Sequence, residues 1–508
     1  MTVNQQQQYK SVLKSTSLIG GSAFVNILIG MIRTKFVAVL LGPTGVGLQN
    51  MYTTIMQTIS TITGLGLNSS GVRSIAEANG QNDSERVARI VKTIRSTIWI
   101  SGIVGTIITI ILSGYISEFT FNTQEHKLPI IFLSVIVLLT NIQVGQTCIL
   151  QGLRKIADIA KISIWGAVNG TLISIPCFYF WGQDGIVPSL ILTAIAALFT
   201  SWTYAKKISI IKTDLPNEIR KKELSNLLSF GLPQMGTAFI STASAYLMRF
   251  IVNNQFGLEG VGIWSAAFNI SGVLTNFVLN AMGTDYFPRL SSVSSDNEKI
   301  NLEVNTQLEI ALLLAGPALI ITILFAPLGI HLLYTGKFDE AIPVLRWSVY
   351  GILGRVITWP LGFIMPAQGR GKLFLTTELV SQGIWLFLTY YLAIQYGLPG
   401  TGIAMLANYI IYLVAMIIVA QIIANTKIQT FNWKLIILIT TLCVASSLLN
   451  RVFSNQLYYY ITSSLFSIAS SLYLLQRLSK KTDLTLHQII KKIKRKTKES
   501  NVYEDRKL

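Results

Sequence analysis

Charge is scarce in this chain. Asp, Glu, Lys and Arg make up 13% of its 508 residues, where a soluble domain carries about 25%. The length would allow several soluble domains, but no long stretch is polar enough to be one. Cysteine is equally sparse. Cys148, Cys177 and Cys443 each sit in an apolar run, with a spacing that offers neither a disulfide framework nor a metal motif. The three histidines, His126, His331 and His487, are far apart in the chain, which argues against a His-based catalytic or zinc site. Gly369-Arg370-Gly371-Lys372 lacks the Ser or Thr and the spacing of a phosphate-binding loop and reads as a tight turn. No metal and no cofactor is expected.

Apolar residues are abundant, at 51% of the chain. A membrane-spanning helix needs about 20 mainly apolar residues. Fourteen runs meet that length, near 14–40, 46–67, 95–117, 128–150, 160–181, 185–204, 228–255, 261–283, 308–333, 342–366, 374–395, 400–424, 434–450 and 457–476. The last two carry more polar residues, and twelve spans is the alternative count. The polar, glutamine-rich segment Met1 to Lys10 precedes a run too long for a signal-peptide core, so that run is expected to remain as an anchor.

The 41 lysines and arginines outnumber the 23 acids, for a net charge of +18. In a soluble protein such an excess would suggest nucleic acid. Here it is explained by where the cations fall. They concentrate in alternate gaps between the runs: Arg73, Arg86, Arg89, Lys92 and Arg95; then Arg154, Lys155 and Lys161; then Lys206, Lys207, Lys212, Arg220, Lys221 and Lys222. The other gaps hold only Lys127, Lys337 and Arg451. Cytoplasmic loops retain Lys and Arg, so both termini are expected in the cytoplasm. The basic segment Thr485 to Lys498, with Ile489, Ile490 and Ile493 among lysines, is expected to lie on the anionic inner leaflet, a solvated tail being the plainer alternative.

The chain also repeats. Arg33 followed by Gly45-Val46-Gly47 is matched by Arg249 followed by Gly260-Val261-Gly262; Arg73 matches Arg289, and Gln151-Gly152 matches Gln368-Gly369, all at offsets of 215 to 217 residues. Six helices separate each pair, an even number, which implies two halves of the same orientation with binding sites near the repeat interface. The expected organisation is a cytoplasmic N-tail over 1–13, an N-lobe over 14–204, a cytoplasmic linker over 205–227, a C-lobe over 228–424, two further helices over 425–476 and a basic tail over 477–508.

Five cations fall inside apolar runs: Arg33, Lys35, Arg249, Arg346 and Arg355. A cation at membrane depth is costly and usually faces a water-filled cavity or a partner. The five are read as anion-holding groups, with Arg33, Arg249 and Arg355 the stronger candidates. Lys35 and Arg346 lie near span ends and can snorkel, and Arg346 and Arg355, nine residues apart, point to nearly opposite faces of one helix. Asp285, Glu309 and Glu378 are expected near cytoplasmic ends, so the cleft between the lobes should be positive and hold no buried counter-ion. Polar stripes at matching positions of spans 2 and 8 are read as its lining: Asn50, Thr54, Gln57 and Thr61 in one, Asn269, Asn276 and Asn280 in the other, with Asn26 on span 1. The same residue types also join membrane helices through hydrogen bonds, so packing stands beside lining as a reading of each.

The stretch Ile32 to Ala78, with Leu40-Leu41-Gly42-Pro43-Thr44-Gly45-Val46-Gly47-Leu48, Gly64-Leu65-Gly66-Leu67-Asn68 and Arg73-Ser74-Ile75-Ala76-Glu77, resembles the start of Wzx-type O-antigen flippases. Gln151-Gly152-Leu153-Arg154 is similar too. These flippases form the polysaccharide-transport branch of the superfamily that includes MATE-type multidrug exporters. The resemblance implies an all-α, V-shaped, polytopic membrane protein of two pseudo-symmetric six-helix bundles, here with two extra C-terminal helices. It implies a non-enzymatic flippase of the inner membrane whose substrate is an oligosaccharide on polyprenyl pyrophosphate. Its partners would be that lipid-linked oligosaccharide, membrane lipids and other polysaccharide-assembly proteins, with no nucleic acid. Cationic cleft residues of the family would correspond to Arg33, Arg249 and Arg355. Two alternatives stay open. A cation-coupled multidrug exporter of the same fold would want acids in its cleft, and a membrane polysaccharide polymerase would want a large loop with clustered catalytic groups.

Overall fold

The computed structural model describes residues 3–208, 211, 216–452 and 456–482, with side-chain detail for these except 3–19, 274–278, 280–281, 283–285, 450–452, 456 and 478–482. The tail beyond Thr482, including the basic segment Thr485 to Lys498, and the side chains of Asn276 and Asn280 therefore lie outside the described residues. What is described is helical, with no strand among the described residues. In chain order the helices are α1 (Val3–Thr63), α2 (Leu67–Gly80), α3 (Ser84–Phe121), α4 (Lys127–Leu133), α5 (Val135–Gly152), α6 (Ile156–Trp181), α7 (Ile186–Ala205), α8 (Asn217–Ser292), α9 (Asn297–Leu324), α10 (Ala326–Leu333), α11 (Ala341–Gly362), α12 (Ile364–Ala367), α13 (Gly371–Tyr396), α14 (Pro399–Ala424), α15 (Thr430–Val452) and α16 (Gln456–Thr482).

Among the described residues nine helical stretches are long and apolar enough to cross a membrane. Ile111, Phe180 and Ile422 stand 73%, 73% and 76% exposed. Ser117, Ser174, Ser189 and Thr389, by contrast, are fully buried. Apolar residues outside and small hydroxyls inside suit a protein solvated by lipid, where small polar side chains let helices approach and bond. The protein is an all-α polytopic membrane protein.

Local chemistry sets the helix ends. Asp83 starts α3 by accepting from the Arg86 amide at 2.8 Å. Asp296 starts α9 by accepting from the amides of Glu298 and Lys299 at 3.1 and 3.2 Å. Both satisfy amides that have no partner within the helix. Two of the long helices are broken inside: α1 at Gly42 (φ 66°, ψ −174°) and α8 at Gly257 (φ 67°, ψ −175°). Positive φ at these two points is affordable because glycine has no Cβ, and Pro43 blocks continuation of the first helix.

The chain divides into two compact units. One comprises Met1–Ser265 with Leu332–Phe338, and the other Ala266–His331 with Asp339–Leu508. The first has a core of Ile75, Ile90, Ile94, Cys148 and Ile149 among others, gathered from α2, α3 and α5. The second has one built on Tyr286, Ile300, Leu361, Ile364 and Met416. There the Tyr286 hydroxyl donates to the Pro360 carbonyl at 2.9 Å, which uses the carbonyl side of a residue that breaks the regular hydrogen-bond ladder of α11.

Within the first unit the two broken helices cross at their kinks, reciprocally. A methyl group on Gly47 would lie 1.9 Å from the Leu258 carbonyl oxygen, and one on Gly262 would lie 1.9 Å from that of Pro43. Backbone thus packs on backbone at both points, which only glycine permits. The same end of the unit is tied further by α3. The Thr120 hydroxyl bonds the Tyr246 hydroxyl at 2.7 Å, Asn253 Nδ2 donates to the Thr120 carbonyl at 2.9 Å, and the rings of Phe119 and Phe250 stack at 4.8 Å.

A side chain at either crossing glycine should force the helices apart. Gly47→Leu and Gly262→Leu are each expected to cost about 1–3 kcal/mol or more, as overpacking of a filled site does. The check is the thermal midpoint and the fraction of monodisperse protein after detergent extraction. Gly166→Ala, where an added methyl meets nothing within 4 Å, should leave both unchanged.

Candidate functional site

A cavity of about 580 Å³ opens in the first unit between α1, α2, α5, α7 and α8. That volume falls in the range of small-ligand sites, about 300–1,000 Å³. Its polar wall is formed by Gln57 and Thr61 from α1, Asn68 and Ser69 from α2, Thr140, Asn141 and Gln143 from α5, Thr193 from α7 and Gln234 from α8. Met56, Leu67, Ile98, Ile136 and Leu190 supply the apolar remainder. No charged side chain lines it among the described residues.

The wall is held in place from behind. Asn141 Nδ2 donates to Thr63 Oγ1 at 2.8 Å, which fixes the amide of α5 against the end of α1. Thr61 Oγ1 donates to the Gln57 carbonyl at 2.8 Å, so its hydrogen goes to its own helix and its lone pairs face outward. Gly66 (φ +65°) makes the turn into α2, and a methyl group there would lie 1.9 Å from the Gly231 carbonyl oxygen. This second backbone contact brings α8, and with it Gln234, against the mouth of the cavity. Thr193 Oγ1 is buried and has no hydrogen-bond partner among the described residues. Buried hydroxyls are normally satisfied, so a guest with donors and acceptors fits beside it. Primary amides offer two donors and an acceptor, the complement of a vicinal diol.

The residues singled out from the sequence fall in several environments. Gln57 and Thr61 line the cavity. Thr54 does not; it is 6% exposed and its hydroxyl donates to the Asn50 carbonyl at 2.7 Å. Asn50 is half-buried outside the lining, and Asn269 is exposed. Asn26 Nδ2 donates to Ser163 Oγ at 2.6 Å, joining α1 to α6. The Arg33 guanidinium occupies the room left by Gly170: a methyl there would lie 3.1 Å from Arg33 Nη1 and 3.5 Å from Thr193 Cγ2. Arg33 therefore stands behind Thr193, one side chain from the cavity. Lys35 Nζ donates to the Tyr334 carbonyl. Arg249 Nη1 donates to the Ala245 carbonyl at 3.0 Å, and its guanidinium lies 5.4 Å from the Trp264 ring centre.

Arg346 and Arg355 belong to the second unit. Arg346 Nε donates to the Ile323 carbonyl at 3.4 Å, and Arg355 is half-buried on α11. Among the described residues, none of Arg33, Arg249, Arg346 and Arg355 pairs with a carboxylate. The second unit also holds two of the acids expected near cytoplasmic ends. Glu309 is only 8% exposed in the middle of α9. Glu378 Oε1 accepts from the Tyr412 hydroxyl at 2.6 Å.

The sequence profile of a family described as polysaccharide biosynthesis protein matches residues 12–294. The chain belongs to this family. A lipid III flippase of Escherichia coli (strain K12) is 21% identical over 414 residues, 79% of this chain and 96% of that one. A Shigella flexneri protein named provisionally as an O-antigen transporter is 25% identical over 389 residues, covering 74% and 90%. Among solved structures, the lipid II flippase MurJ in an inward closed conformation aligns with a TM-score of 0.68 at 15% identity, covering 92% of this chain and 99% of that one. An inward-facing MATE family transporter of the MOP superfamily aligns at 0.65 and 15%, covering 79% and 96%. At such identity the structural likeness speaks for the fold alone, which is the MATE-like one.

Sequence reasoning missed Thr140, Asn141, Gln143, Thr193 and Gln234. The signal existed in part: Thr140-Asn141-Ile142-Gln143 is a polar interruption inside an apolar run. If the cavity holds substrate, Gln57→Leu and Gln143→Leu should each lower transport about tenfold, the worth of one or two hydrogen bonds. Whole-cell polysaccharide export, normalised to protein in the membrane, is the measurement. Asn26→Ala, which removes only a helix-joining bond, should leave export near wild type.

Proposed function

We propose that the protein is a flippase that carries a polyprenyl-pyrophosphate-linked oligosaccharide, of the O-antigen repeat-unit type, from the cytoplasmic to the outer leaflet of the inner membrane. The observation that carries this reading is the uncharged, amide- and hydroxyl-lined cavity in a member of the polysaccharide biosynthesis family. Sugars bind through many neutral hydrogen bonds, whereas a drug-like cation needs an acid, and the described lining contains none. The names carried by the relatives, lipid III flippase and O-antigen transporter, support the same substrate class.

A saccharide head and its pyrophosphate cannot cross hydrocarbon unaided, because burying unpaired polar groups and charges is costly. In the proposed cycle the sugars lie against Gln57, Thr61, Gln143 and Gln234. In the first unit the pyrophosphate is drawn by Arg33 and Arg249, which have no carboxylate partner among the described residues, with Lys35 further along α1; Arg346 and Arg355 are the second unit's own candidates for holding an anion. Arginine suits this work because its planar fork grips phosphate bidentately. The polyprenyl tail stays in the bilayer. The reading includes fourteen spans, lobes over 14–204 and 228–424 related by the internal repeat, and both termini in the cytoplasm. No nucleotide is needed: two negative charges moving outward gain about 4–5 kcal/mol at 100 mV.

Deleting the gene should make unflipped lipid-linked repeat units accumulate on the cytoplasmic face; accumulation of flipped but unpolymerised units would instead identify a polymerase. Arg33→Glu and Arg249→Glu should each cut export tenfold or more with normal membrane insertion, while Arg33→Lys keeps part of it. Export that survives both reversals would remove the anion site. In reconstituted vesicles, collapsing the membrane potential should slow flipping.

A further inference from the structure

A second hollow in the first unit, about 590 Å³, lies between α3, α5 and α7. It is lined by Arg95, Trp99, Gln146, Leu198, Trp202 and Lys206, with Ile98, Ile142, Gly145, Ala205 and Ile208 behind them. Ile98 is 4% exposed and forms part of both linings, so its side chain stands between this hollow and the polar cavity. The chemistry on its two sides differs. The polar cavity has no charge. This groove has two exposed cations, Arg95 at one wall and Lys206 at the other, neither paired with a carboxylate among the described residues. Trp99 follows Arg95 and Trp202 precedes Lys206 by about one helical turn; the two rings are 51% and 54% exposed, and Lys206 Nζ sits 5.9 Å over the Trp202 ring. Gln146 accepts from Ser201 Oγ at 2.6 Å, which fixes the amide oxygen and leaves its N–H groups without a partner among the described residues.

We propose that this groove is a binding site for a membrane phospholipid with an anionic headgroup. Its phosphate is held by Arg95, Lys206 and the Gln146 amide, and its acyl chain lies on Trp99, Trp202 and Leu198. Cations beside an interfacial tryptophan pair supply what such a lipid needs, namely charge at headgroup level and a flat apolar surface just below. The charge complementarity selects an anionic over a zwitterionic lipid, and the charged lining sets this groove apart from the uncharged cavity on the other side of Ile98.

The test uses the purified full-length protein in zwitterionic bilayers, titrated with phosphatidylglycerol or phosphatidylcholine carrying brominated acyl chains, which quench tryptophan on contact. The signal lost in Trp99→Phe/Trp202→Phe isolates the two rings. These should be quenched at about tenfold lower mole fraction of phosphatidylglycerol than of phosphatidylcholine. Arg95→Gln/Lys206→Gln should erase that preference, the charge-preserving Arg95→Lys/Lys206→Arg should keep it, and inorganic phosphate should not release the lipid. Equal quenching by the two lipids, or a preference that survives Arg95→Gln/Lys206→Gln, would overturn the site. So would one-for-one displacement by polyprenyl diphosphate, which would assign the groove to the transported lipid instead.

Discussion

Inside hydrocarbon there is no water to satisfy a peptide group, and that constraint organises this molecule. Every spanning segment must close its own backbone hydrogen bonds, so all of them are helices. The hydrophobic drive that folds soluble proteins does not hold these helices to one another, because lipid is as apolar as leucine. Close approach has to be arranged by other means. Here it is arranged by glycine: Gly47 on Leu258, Gly262 on Pro43 and Gly66 on Gly231 each bring backbone against backbone. Gly47 and Gly262 bind α1 to α8, and Gly66 brings the turn between α1 and α2 against α8 beside the polar cavity.

The same constraint explains where polar side chains went. Most of the threonines and serines in the spans give their hydrogen to a carbonyl of their own helix, as Thr54, Thr58 and Thr61 do. Their oxygens can then face lipid, core or cavity at little cost. Amides carry more donors and acceptors than one carbonyl of their own helix can satisfy. Asn26 reaches α6 and Asn141 reaches Thr63, while Asn305 bonds Asn432 and the Lys427 carbonyl, which ties α9 to α15. Gln57, Gln143 and Gln234 are left for the cavity. Two polar environments thus stand side by side in the first unit. One is neutral and enclosed between helices; the other is cationic and edged by exposed tryptophan, with Ile98 as the boundary.

The internal repeat shows how one motif can be kept for different physical reasons. Gly42 and Gly257 adopt the same backbone angles, as their matching positions suggest. Arg73 and Arg289 occupy matching positions too, yet Arg73 lies over the Phe230 ring at 4.6 Å and Arg289 binds Glu303 at 2.9 Å. Gly152 is needed because a methyl there would meet Ile75 at 2.7 Å, whereas its counterpart Gly369 turns the chain at φ +74° with open space around it. A sequence match fixes position along a span and leaves the neighbour undetermined.

The amino-acid sequence by itself determined that this is a helical membrane protein, where its chain turns, and which connections carry the positive charge. These are properties of short windows, in which hydropathy and charge act without reference to the rest of the chain. It also pointed to Gln57 and Thr61, because a polar stripe on one helix face is visible at helical spacing. Only the tertiary structure decided which polar residues meet. Thr54, on the same stripe, turned into the core, Asn26 went to a helix joint, Arg33 came to rest behind Thr193, and Asn141, Gln143, Thr193 and Gln234 arrived from three other helices. Those outcomes depend on the rotation and register of helices far apart in the chain, which are set by where a missing Cβ lets two backbones touch.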